Sequence, residues 1–88
     1  MDYATMLSKG IISNNLSLAQ VCFRLAKRDI WIDKAILSKM QNGKLPPAKD
    51  NVNKVLADVL GIDETKFRLA AAKELIPVEL YELIRQAG

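Results

Sequence analysis

Lys34, Ala35, Ser38, Lys39 and Asn42 recur at spacings that gather them on one side of a helix, while Leu37 and Met40 fall on the other. Two ammonium groups, a hydroxyl and a carboxamide around a small alanine make a set of donors with room beside them. Such a set suits the base-pair edges of a DNA major groove; an ordinary solvated charge is the plain alternative for each lysine. The flanking residues punctuate the stretch as a short, well-stopped helix. Asp33 can cap its start, Ile32 and Leu37 can staple across that cap, and Gly43 stands where a helix needs a left-handed C-terminal residue.

Other chemistry is thinly provided. The chain has no histidine, which removes the commonest general base and the commonest metal ligand, and its carboxylates and lysines fall at ordinary helix-surface spacing. An enzymatic role, a cofactor and a metal ion are therefore not expected. Cys22 is the single cysteine, so no disulfide can form within one chain. It reads as a small core residue, and the composition suits a reducing cytoplasm. No stretch approaches the roughly 20 apolar residues that span a bilayer, and the start lacks the pattern of a signal peptide, so no membrane partner is expected.

Eighty-eight residues, half of them hydrophobic, suit one domain with one core, about residues 3–75, plus a C-terminal helix near 77–87. The net charge of +3 is unevenly spread. Residues 24–54 hold eight Lys or Arg against three Asp, whereas residues 55–88 hold four against six acids. Positive charge gathered on one part of a small protein is the footprint expected for a polyanion partner.

The elements that must position the basic set are helices throughout, because apolar residues recur three and four apart and no run alternates as a strand would. Helix 1 is expected over residues 2–13, with Tyr3, Met6, Leu7 and Ile11 on one face and Gly10 in the same stripe, permitting close packing. Helix 2 opens on the capping box from Ser17 to Gln20, turns Val21, Cys22 and Leu25 inward, and closes at Asp29. Pro46 and Pro47 hold the chain extended before helix 4, residues 49–60, whose inward stripe is read as Val52, Val55, Leu56, Val59 and Leu60. Asp63 caps helix 5, which runs to about Leu75. After Pro77 a last helix carries Leu80, Tyr81, Leu83 and Ile84, enough apolar surface either to close the core or to support a homodimer.

The ordered series Leu16-Ser17, then Leu37-Ser38-Lys39-Met40-Gln41-Asn42-Gly43-Lys44, then Pro46-Pro47, then Leu56-Ala57-Asp58-Val59-Leu60-Gly61-Ile62 resembles the Cro and phage-repressor (Xre-type) helix-turn-helix family. The likeness spans roughly residues 3–67. It implies an all-α, lambda-repressor-like domain of five to six helices that binds double-stranded DNA, commonly as a two-fold dimer, and regulates transcription for a phage or mobile element. By the family pattern Lys34, Ala35, Ile36, Ser38 and Lys39 would approach base edges, while Ser17, Asn42, Lys44, Lys49 and Lys54 would hold phosphates through side chains, backbone amides and a helix N-terminus. The stretch from Leu16 to Leu37 departs from the pattern, being about five residues longer than the compact motif and lacking the turn glycine. The extra residues, around 27–31, either lengthen helix 2 or enlarge the turn, and Trp31 within them is expected to act as a core lid. That departure also keeps open a protein-interaction module on the same fold, binding another regulator with little DNA affinity.

Overall fold

The computed structural model describes residues 1–87, which form six helices and no strand. They are α1 (Tyr3–Ser13), α2 (Leu18–Ala26), α3 (Lys34–Gln41), α4 (Asp50–Leu60), α5 (Glu64–Leu75) and α6 (Val78–Ala87). Their starts follow from local chemistry. Asp2, Ser17, Asp33 and Asp63 each accept a hydrogen bond from the amide three residues on, and Gln20 Oε1 accepts one from the Ser17 amide, completing the capping box.

The ends share one device. The residue after each of α1 to α4 that turns left-handed is Asn15, Asp29, Gly43 or Gly61. In every case the next amide reaches back five residues, as Leu16 to Ile11, Ile30 to Leu25, Lys44 to Lys39 and Ile62 to Ala57. Glycine was expected at the last two positions; Asn15 and Asp29 serve because short polar side chains tolerate this conformation. Asp29 thus supplies the left-handed residue that the missing turn glycine would have given.

One core runs through α1 to α5. Tyr3, Leu7 and Ile11 from α1 meet Val21 and Leu25 from α2, Leu37 and Met40 from α3, Leu56 and Leu60 from α4, and Phe67 with Ala70 and Ala71 from α5. Gly10 is buried where an added Cβ would lie 2.7 Å from Ile62 Cδ1, so its missing side chain does permit the α1 contact. In α4 the fully buried stripe is Asn53, Leu56, Ala57 and Leu60, while Val52, Val55 and Val59 are half-buried. The inward face is therefore turned from the expected one toward Asn53. A polar partner causes this: Asn53 Oδ1 accepts from the Tyr3 hydroxyl and its Nδ2 donates to the Ala48 carbonyl, so burial leaves no orphaned group.

Two further expectations meet different ends. The extra residues enlarge the connection, since α2 closes with its terminal turn at 27–29 and residues 30–33 run on without helix. Trp31 is not a core lid: it is 80% exposed, and Ile30 and Ile32 pack against the core instead. With Ile30 and Ile32 on either side turned to the core, the indole between them is left on the surface. The last helix does not close the core either, because none of the residues of α6 is buried. The molecule measures 41 × 23 × 22 Å with a radius of gyration of 13.3 Å, above the roughly 12 Å of a compact chain this long.

No helix among the described residues is long and apolar enough to cross a membrane.

Candidate nucleic-acid interface

Helix α3 is held by two buried side chains, Leu37 and Met40, which pack against α1 and α2. At about 100° per residue those anchors direct Ala35, Ser38, Lys39 and Asn42 outward along one arc, with Lys34 and Ile36 flanking it on opposite sides. Lys34, Ala35, Ile36, Lys39 and Asn42 are exposed and Ser38 is half-buried. The middle of the arc therefore holds the smallest side chain, Ala35, between donors. Asp33 accepts from the Ile36 amide at 2.8 Å, which fixes the first turn carrying Lys34 and Ala35.

Charge is distributed to the same effect. Among the described residues the salt bridges join Arg28 to Asp58, Arg68 to Asp50 and Glu64, and Arg85 to Glu82. Lys34, Lys39, Lys44, Lys49 and Lys54 take part in none of them. The acid nearest the arc in sequence, Asp33, is occupied as a cap. Lys54 is set apart from the others, for it shares a hollow with Asp58, Asp63 and Glu64 at the α4–α5 junction. Its field is locally offset, which weakens its candidacy as a phosphate contact.

The other expected phosphate contacts are placed as follows. Ser17 Oγ accepts from the Gln20 amide at 3.1 Å, leaving its hydroxyl proton free to donate outward. The amides of Asn42, Gly43 and Lys44 all donate to helix carbonyls, those of Ser38, Met40 and Lys39. Backbone donation to a phosphate is closed at that turn, so Asn42 and Lys44 have only side chains to offer. Lys49 precedes α4 without a side-chain cap, and beside it the Arg68 guanidinium holds the Asp50 carboxyl below the usual carboxylate range through bonds of 2.8 and 2.7 Å.

One residue escaped the sequence reading. Lys9 and Ser8 on α1 line a hollow of about 430 Å³ with Gln41, Asn42 and Gly43. The packing of α1 on α3 brings Lys9 beside Asn42, with Asp2 in the same hollow. Cys22 is half-buried, and burial raises its thiol above the ordinary range, away from the reactive thiolate form.

Comparison with family models, curated proteins and solved structures yields no match to this chain.

Proposed function

We propose that the chain is a sequence-specific regulator of transcription that binds double-stranded DNA, a repressor of the phage or mobile-element kind. In this reading α2 and α3 form a helix-turn-helix, α3 enters the major groove, and Lys39, Ala35 and Ser38 meet base edges while Lys34 and Ile36 flank them. Two protomers would meet two half-sites about one helical turn, roughly 34 Å, apart. The observation that carries the reading is the outward arc of α3. Its donors surround a small residue on a rigidly anchored helix, and neither of its lysines is committed to an acid.

Selection from a random duplex DNA library, with each winner rebound across a salt series, tests it. An enriched pseudo-palindrome bound more weakly as salt rises is expected, because each phosphate contact releases counterions. Failure to enrich any sequence would overturn the reading of bases by α3.

A second reading has its own support: Trp31 is 80% and Phe23 63% exposed, costly surface for a chain that binds only DNA. A protein-interaction module would leave gel shifts blank and retain a stoichiometric protein partner that Trp31→Ala or Phe23→Ala releases.

A further inference from the structure

Lys66, Leu69, Ala70 and Lys73 follow one another at i, i+3, i+4 and i+7, so α5 presents two ammonium groups on one face with an apolar stretch between them. All four line a hollow of about 520 Å³, together with Met6 of α1 and Tyr81 of α6. The volume lies within the roughly 300–1,000 Å³ of small-molecule sites, and an apolar wall with a few placed polar groups is their usual composition.

The charges at the two ends differ. Among the described residues neither lysine forms a salt bridge. The Lys73 ammonium lies 5.6 Å from the centre of the Tyr81 ring, and an adjoining hollow of about 300 Å³ brings Asp2 and Glu74 to the same lysine. Lys66 has no acid beside it in the hollow. The two carboxylates just before it are engaged elsewhere, Asp63 by the Lys66 amide and Glu64 by Arg68. An anionic head group therefore belongs at Lys66, and the apolar stretch leads away from it.

We infer that the hollow binds a small amphipathic carboxylic acid in its free, ionised form. Its carboxylate pairs with the Lys66 ammonium, and its chain lies along Leu69 and Ala70 toward Met6 and Tyr81. Seven residues of helix separate the lysines by roughly 10 Å, about the length of an extended eight-carbon chain. Such an acid also joins elements that otherwise barely meet. No residue of α6 is buried and only Tyr81 is half-buried, so a ligand touching α1, α5 and Tyr81 at once favours the docked position of the last helix. The site lies apart from the α3 arc and needs neither DNA nor a protein partner.

Titration of the full chain, labelled with ¹³C at its methionine methyls, with octanoate tests this by nuclear magnetic resonance. Met6 lines the hollow, whereas Met40 is buried in the core and serves as internal reference. The Met6 signal should shift saturably while Met40 stays in place, and amide exchange in α6 should slow on saturation. Decanoate should bind several-fold more tightly, since each buried methylene is worth about a factor of four. Lys66 is exposed, so Lys66→Gln should keep the fold by circular dichroism; it should weaken octanoate about tenfold and leave 1-octanol unaffected. No saturable Met6 shift by about 10 mM octanoate, ten times a weak Kd of about 1 mM, overturns the proposal. Octylamine binding as well as octanoate, or octanoate indifferent to Lys66→Gln, does so equally. A shift of Met40 along with Met6 would mean detergent-like unfolding, and a response to phosphatidylglycerol vesicles but not to octanoate would mean a lipid surface; either result also rejects the site.

Discussion

The Tyr3 hydroxyl donates a 2.6 Å hydrogen bond to Asn53 Oδ1, joining the first turn of α1 to the buried face of α4 across 50 residues of chain. The same ring stacks on Phe67 at a centroid distance of 4.5 Å, and Asn53 passes the link on to the Ala48 carbonyl. Helices α1, α4 and α5 and the segment after Pro47 are thereby fixed around one polar bond in an otherwise apolar core. Tyr3→Phe keeps the stacking but leaves a buried carboxamide oxygen without its donor, which should cost about 1–3 kcal/mol by urea unfolding.

Burial of the same ring predicts a pH dependence. Burial pushes the Tyr3 phenol from its ordinary 10.0 up to about 12, so the folded state holds this proton more tightly than the unfolded chain. Its contribution is complete below about pH 10 and is lost as pH rises toward 12, at about 1.4 kcal/mol per pH unit in that window. Urea midpoints on either side of pH 10 should fall more steeply in the wild type than in Tyr3→Phe. Parallel decline in the two proteins would remove Tyr3 as the cause.

Asp33→Ala removes the acceptor of the Ile36 amide and should cost about 1 kcal/mol, the usual worth of an N-cap. The loss should be local. Hydrogen exchange ought to quicken at Ile36 while Leu7 and Leu25 in the core keep their protection, and a uniform loss would show instead that α3 is structurally inseparable from the core.

Caps, glycine stops and the core stripes of α1 and α3 were legible because they depend on residues three to five apart. Ser17 with Gln20, Asp33, Asp63, Gly43 and Gly61 all do in the fold what their types and spacing imply. Asn53 was not legible, since its polar side chain is admitted to the core only by a tyrosine distant in sequence. Trp31 misled for a related reason: its size argues for burial, but Ile30 and Ile32 on either side take the core contacts and leave it outside. On the candidate interface the outward arc of α3 followed from periodicity. Asp58, one turn after Lys54 on α4, was legible as a neighbour, but its company with Asp63 and Glu64, like the placing of Lys9 beside Asn42, is a packing fact with no local signal.

Gly10→Ala tests the tightest helix contact. An alanine gains about 1 kcal/mol of helix propensity over glycine. Its Cβ, however, would sit 2.7 and 2.9 Å from Ile62 Cδ1 and Cγ1. Two contacts on a β-branched side chain cannot be relieved by turning its tip alone, so the variant should be net destabilised by about 1–2 kcal/mol. Ile62→Val deletes the closest atom. The double variant should therefore lose less than the two single losses added together in thermal or urea unfolding; strict additivity would mean that α1 shifts away instead.

Lys39 and Lys44 separate base reading from charge. Lys39 lies on the outward arc of α3, so on a selected operator Lys39→Ala should weaken binding by about 1–3 kcal/mol while changing affinity for unrelated duplex much less. Lys44 stands beyond the left-handed turn at Gly43, with its backbone amide already bonded to Lys39 and only its ammonium group to offer. A contact of that kind touches phosphate whatever the sequence. Lys44→Ala should therefore weaken operator and unrelated DNA alike and reduce the slope of log affinity against log salt by about 1. If both variants bound like the wild type, the outward face of α3 would not be the face that meets DNA, and the exposed Trp31 and Phe23 would become the surfaces to probe.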